Sequence, residues 1–229
     1  MKTVVKIAVL SPLLLILICV ISYFTEKNNY GTWTIEKKSS TDTTSDWIKF
    51  LWISDSMGNR NFERSGMNVS VQIAGLPYNF TFQFDLGDQH TEIYENSLNA
   101  IYAADPLLEK KVSHLRSLFQ FWNKNRSYKD ISIEAGGYIF KSKDCYLRRN
   151  YGEDLNEDSI LKSQALHIGS IGIDLFKNKV LIIDYPLQQF SIADTVPAAY
   201  KVNMVPIELN TAGMVLLPMK LAGRQYNCL

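Results

Sequence analysis

One string of residues constrains this chain more than any other. Over Asn68–Phe84, Val69, Val71 and Ile73 alternate with polar neighbours, Ala74-Gly75-Leu76-Pro77 makes a turn, and Tyr78, Phe80, Phe82 and Phe84 resume the alternation. A period of two puts residues of one parity on one face of a strand, so the segment predicts a hairpin with a single buried face. Its second strand runs without interruption into Asp85-Leu86-Gly87-Asp88. A carboxylate thus sits at the mouth of an apolar strand with glycine two residues on.

Further along, the period changes and then returns. Leu98, Ile101 and Tyr102 fit one short helix, and Leu107, Leu108, Val112, Leu115 and Leu118 fit another opened by Asp105-Pro106. Ile131, Ile133, the Gly136-Gly137 pair and Tyr138-Ile139-Phe140 read as β-structure again. Val180–Asp184 and Gln188–Ile192, joined through Tyr185-Pro186-Leu187, predict a second hairpin. The expected class is mainly β with small helices.

Composition narrows the function classes. At 229 residues the chain can hold one or two globular domains with a real core. Its 24 Lys+Arg against 23 Asp+Glu leave no electrostatic footprint for nucleic acid. A hydrophobic share of 46% with 21% charged residues is that of a folded protein. Cys19, Cys145 and Cys228 lie too far apart for a zinc or redox pair, and His90, His114 and His167 are too scattered for a metal cluster, so no metal or cofactor is expected. The sequons at Asn68, Asn79 and Asn125 matter only in a glycosylating host.

The N-terminus sets the expected location. Lys2 and Lys6 precede Ile7–Phe24, an uncharged apolar stretch long enough to span a bilayer, and no small-residue cleavage pattern follows it. Residues 1–25 therefore read as an uncleaved signal anchor, a single transmembrane helix with the rest of the chain outside the cytoplasm; the alternative is a secreted protein. Residues 26–46, crowded with Ser39, Ser40, Thr41, Thr43, Thr44 and Ser45, read as a polar tether. Folded domains are expected at 47–195 and 196–229.

Two segments together carry a family resemblance. The first is Phe82-Gln83-Phe84-Asp85-Leu86-Gly87-Asp88; the second is Ile168-Gly169-Ser170-Ile171-Gly172-Ile173-Asp174-Leu175-Phe176, followed by the 180–192 hairpin. They resemble the apolar strand with Asp-Thr/Ser-Gly, and the apolar-apolar-Gly segment with its closing hairpin, of the pepsin-like and retropepsin-like aspartic peptidases. The resemblance implies an aspartic-protease-like β lobe, Asp85 as the catalytic carboxylate, and Leu86, Gly87, Asp88, Ile171 and Gly172 as support of its loop. It also implies a flap over the cleft, for which Gly136, Gly137 and Tyr138 are the candidates; a plain hairpin turn is the other reading. The implied activity is endopeptidase hydrolysis of a peptide or protein substrate by water activated between two carboxylates that share one proton.

A dyad needs a second aspartate. Ile73-Ala74-Gly75-Leu76-Pro77-Tyr78-Asn79 recurs as Leu221-Ala222-Gly223-Arg224-Gln225-Tyr226-Asn227, four identities in seven at an offset of 148. At that offset the partner of Asp85 falls at position 233, so residues 196–229 read as the opening strands of a second lobe, cut before its aspartate, and the chain as inactive by itself. Leu86 and Asp88 depart from the family pattern. Leucine lacks the hydroxyl that joins the loops, and a carboxylate three residues from Asp85 disfavours ionisation of the pair. Two alternatives follow: a non-catalytic peptide-binding or structural protein that keeps the fold, or a dimer whose two copies of Asp85 form the dyad. Asp85 as an ordinary turn aspartate, His90 as a loop residue, and Asp174 and Asp184 as surface or turn residues are the plain readings. Ser170 and His167 make no hydrolase triad, since Gly-x-Ser-x-Gly is absent.

Overall fold

A computed structural model describes residues 17, 32–38, 46–76, 78–104, 112–113, 126–155, 165–201, 208–209 and 215–228. The anchor read over 1–25 lies outside them apart from Leu17, and among the described residues no helix is long and apolar enough to cross a membrane. Fourteen strands dominate: β1 Trp33–Lys37, β2 Trp47–Met57, β3 Arg60–Ile73, β4 Phe80–Phe84, β5 Glu92–Tyr94, β6 Val112–Ser113, β7 Arg126–Ala135, β8 Tyr138–Arg148, β9 Leu166–Ile171, β10 Val180–Asp184, β11 Gln189–Ala193, β12 Glu208–Leu209, β13 Val215–Leu221 and β14 Arg224–Cys228. Helix α1, Glu95–Ala104, and two single turns of 3-10 helix join these strands among the described residues.

The alternation read from the sequence is the alternation of burial. Val69, Val71 and Ile73 of β3 and Phe80, Phe82 and Phe84 of β4 all point into the core, and the two strands pair antiparallel from Met67↔Phe84 to Val71↔Phe80. Phe80 and Phe82 are fully buried, each contributing roughly 2–3 kcal/mol of hydrophobic stabilisation. The β10–β11 hairpin forms as expected and extends the sheet beyond β2 through Phe190↔Ile48. In α1, Leu98 and Ile101 are the buried residues of the helical period.

Eleven strands form one sheet, and six of them close into a ring. β3 pairs with β4, β4 with β9 in parallel, β9 with β5, β5 with β8 in parallel, and β8 with β7. The last two residues of β3 then leave β4 and pair with β7, Gln72↔Glu134 and Ile73↔Ile133, which shuts the ring. Closure removes the open edges from these six strands and encloses the core. The parallel β4–β9 pair matters most, because it brings the carboxyl ends of both strands, Asp85 after one and Gly172 after the other, to the same place.

Two expectations are corrected. The stretch read as tether contains β1, whose Trp33–Lys37 pair with Ser142–Tyr138 of β8 while Trp33 and Ile35 pack on the core. Val112 belongs to β6, paired with Tyr128 of β7, and not to a helix; the rest of that expected helix lies outside the described residues. Both copies of the repeated string turn at a glycine of positive φ, Gly75 at +84° and Gly223 at +78°. The second copy is a two-residue hairpin, Leu221↔Arg224, with Ala222 also at positive φ. In the first copy, Gln72 and Ile73 pair with β7 instead. Strands β12–β14 form a separate three-stranded sheet.

Candidate functional site

Asp85 follows the last residue of β4, where the buried strand gives way to a loop. Its backbone N–H donates to the Ile171 carbonyl at 3.0 Å, and Asp88 closes the turn with an N–H bond to the Asp85 carbonyl at 3.2 Å. Ile173 N–H then donates to the Asp88 carbonyl at 2.9 Å. The loop is therefore held at both ends by the residues on either side of Gly172. The half-buried carboxylate of Asp85 accepts the Gly87 amide on Oδ1 at 2.9 Å, which fixes its orientation.

Glycine is obligatory at two points of this clasp. A Cβ on Gly172 would lie 2.4 Å from the carbonyl carbon of His90 and 2.5 Å from its oxygen. On Gly169 it would lie 2.3 Å from the Glu92 carbonyl oxygen. Neither obstacle is a movable side-chain tip, so the backbones approach this closely only because no side chain intervenes.

Around the loop stands a polar network. Ser170 Oγ donates to Asp88 Oδ2 at 3.0 Å, while an Arg148 guanidinium nitrogen lies 3.9 Å from Asp88 Oδ1 and another lies 2.8 Å from Glu92 Oε1. Glu92 is buried. Burial pushes its carboxyl up to about 7; Arg148 opposes this, and the negative field of Asp88, then of Asp85, adds to it. Arg148 also lies over the Tyr151 ring, 4.6 Å from its centroid. Tyr94 is pushed up to about 12 by burial.

Below the clasp, Asp174 gathers donors. Its Oδ1 accepts both the N–H and the hydroxyl of Thr91 at 2.7 Å, and its Oδ2 accepts the indole N–H of Trp33 at 3.2 Å. The His90 Nδ1 lies 3.9 Å away, and interaction with Asp174 raises the His90 pKa against the effect of burial. Asp174, expected at the surface or in a turn, is instead a largely buried acceptor that joins the His90–Thr91 loop to β1. Asp184 does behave as a turn residue, taking the Leu187 N–H at 3.1 Å. Ser170 is committed to Asp88 rather than to His167, whose pKa burial lowers.

The sequence reading and the geometry agree on one group and part on another. Asp85, Gly87, Asp88, Ile171 and Gly172 come together in a single clasp, and Leu86 packs against the core from within the loop. The flap candidates go elsewhere. Gly136, at φ +55°, sits on β2, where a Cβ would lie 3.1 Å from an Ile48 side-chain carbon. The Gly137 carbonyl accepts the Lys38 N–H at 2.8 Å. Tyr138 is 2% exposed, and its hydroxyl lies in hydrogen-bond range of the carbonyls of Asp46 (3.1 Å) and Ile192 (3.2 Å). A ring so enclosed faces the core and not a cleft; the turn beside it is at the surface, with Gly136 exposed.

Thr91, Glu92 and Arg148 were not singled out from the sequence. The pattern Thr91-Glu92-Ile93-Tyr94 gave one clue, an acidic residue entering an otherwise apolar strand. Among the described residues no group of three or more His, Cys, Asp or Glu side chains is arranged to hold a metal ion. Chemically the loop offers one oriented, half-buried carboxylate with an amide donor, beside a cation and a second, protonatable acid. No protein-family model, no curated protein and no solved structure matches this chain.

Proposed function

We propose that the closed ring is one lobe of an aspartic-peptidase-like hydrolase, and that Asp85 is the carboxylate that orients and deprotonates water for attack on a peptide bond. The observation that carries this reading is the clasp. Asp85 leaves a buried strand, its amide is fixed by the Ile171 carbonyl of a parallel strand, and Gly172 admits no side chain. That arrangement holds a carboxylate rigidly at the end of a sheet, which paired-carboxylate chemistry requires. The proposed substrate is a peptide or protein. The proposed setting is outside the cytoplasm with residues 1–25 as membrane anchor, resting on the apolar run alone.

The chemistry needs a second carboxylate within proton-sharing distance. Among the described residues, Asp85 has the Gly87 amide as the hydrogen-bond partner of its carboxylate. A monomer of these 229 residues is therefore expected to give no turnover. Where a second carboxylate meets Asp85, peptide cleavage is expected at acidic pH, blocked by a statine-type inhibitor and abolished in Asp85→Asn while the melting temperature is kept. Cleavage unaffected by Asp85→Asn, or turnover by the 229-residue monomer, overturns the assignment.

One observation favours a second reading, a peptide-binding protein without catalysis. Leu86 is turned to the core and the Asp88 carboxylate is engaged by Ser170 and Arg148, so the loop is satisfied internally. That reading predicts peptide binding that survives Asp85→Asn, with no cleavage at any pH.

A further inference from the structure

The loop that holds Asp85 is braced from an unexpected quarter. Gly172 N–H donates to Thr91 Oγ1 at 3.1 Å, and that hydroxyl in turn donates to Asp174 Oδ1 at 2.7 Å. A hydroxyl has one proton, so these two bonds fix its direction: it accepts from the clasp and gives to Asp174. The second oxygen of Asp174 is taken by Trp33, a residue of β1 that lies 141 positions away in the chain. A carboxylate with a side chain only 10% exposed is costly to bury unless its lone pairs are filled. Here they are filled by Thr91 on one side and by β1 on the other.

We propose that Asp174 is a positioning residue for the Asp85 loop, and that docking of β1 through Trp33 completes it, so the strand that leads out of residues 1–32 sets the order of the candidate catalytic loop. The route is continuous. Trp33 binds Asp174; Asp174 binds Thr91; Thr91 holds the Gly172 amide; and the neighbours of Gly172 hold Asp85 and Asp88. β1 itself is fastened by the five register pairs to β8, from Trp33↔Ser142 to Lys37↔Tyr138. The functional meaning rests on Asp85 being the working carboxylate, but the coupling does not, and the test reads the coupling alone.

The experiment is hydrogen exchange by mass spectrometry on the full 229-residue chain, following peptides that span 83–90 and 169–176, with the β10–β11 hairpin as internal control. Trp33→Phe, which keeps an aromatic ring and removes the N–H, is expected to speed exchange in both peptides about fivefold, the loss of one hydrogen bond. Thr91→Val is expected to speed it by tenfold or more, on the order of an unsatisfied buried amide, while Thr91→Ser, which keeps the hydroxyl, restores the slow rate. The control hairpin stays unchanged throughout. Asp174→Ala gives the largest effect where it folds; where it does not, the Trp33 and Thr91 variants still decide. Exchange at the wild-type rate in Trp33→Phe and Thr91→Val, or a failure of Thr91→Ser to restore it, overturns the proposal. A chain with no peptidase activity but with this exchange pattern would sink the assignment of function and leave the coupling standing.

Discussion

Two glycine-bearing regions, the clasp at Asp85 and the turn at Gly136-Gly137, use glycine for different reasons. The clasp at Asp85 and Gly172 is built from backbone against backbone, with the Thr91 hydroxyl taking the Gly172 amide and passing its own proton to Asp174. The turn at Gly136-Gly137 rests on one backbone bond from Lys38 and on a buried tyrosine whose hydroxyl reaches the carbonyls of Asp46 and Ile192. In the first, glycine is present because there is no room for a methyl group; in the second, mainly because the φ angle is positive. A glycine in a string of residues therefore has two meanings, and only its surroundings separate them.

The most severe way to break that comparison is to add one carbon to each. Gly172→Ala places a methyl carbon 2.4 Å from the backbone of His90, and the clasp must open to accept it. The expected cost is more than about 4 kcal/mol, or failure to fold. Urea denaturation followed by circular dichroism measures it. A Gly172→Ala protein within about 1 kcal/mol of wild type would mean that the clasp is loose and its glycine incidental.

The clasp should also respond to pH through Glu92, whose buried carboxyl is pushed up to about 7. The sign is that of a raised acid. Between its ordinary range and 7 the folded state holds a proton that the unfolded state has released, so stability falls as pH rises through that window and stays low above it. Glu92→Gln removes this dependence. Relative to wild type, the variant is expected to gain about 2 kcal/mol between pH 5 and pH 8, the attraction of Arg148 being already contained in the raised value. Denaturant titrations at the two pH values measure the difference; a variant whose stability parallels that of the wild type would show that Glu92 is ionised and fully compensated by Arg148.

What could be read in advance follows the range of the interactions. The period-two pattern of Val69 to Phe84 is local, and it delivered the hairpin, its buried face and the carboxylate at its mouth. The 180–192 hairpin and α1 were legible for the same reason. β1 was missed because Trp33 and Ile35 gain their partners from β8, more than a hundred positions away, while their own neighbours are a polar run. Asp174 was taken for a turn residue because its donors, Thr91 and Trp33, come from elements that only the closed ring brings beside it. Gly136-Gly137-Tyr138 carries two readings in the sequence, the flap that the resemblance implies and a plain hairpin turn, and no local pattern separates them. The burial of Tyr138 depends on carbonyls of Asp46 and Ile192, which no pattern around position 138 reveals.

At the packed turn the effects should be smaller and confined. Gly136→Ala keeps a positive φ that alanine adopts reluctantly, and its methyl meets the Ile48 side chain at 3.1 Å, an obstacle that can shift. The expected cost is about 1–2 kcal/mol, well below that of Gly172→Ala in the same denaturation series.

Tyr138→Phe is the mildest and the most discriminating change. The ring stays in place, so the packing is kept and only the hydroxyl is lost, leaving the carbonyls of Asp46 and Ile192 without that donor. A loss of about 1 kcal/mol is expected. Any peptide cleavage by the protein should be unchanged in kcat and in KM, because Tyr138 is buried in the core. A variant of normal stability with impaired cleavage would reverse the assignment of this turn, since a hydroxyl that matters to substrate but not to folding must leave its buried partners during the reaction.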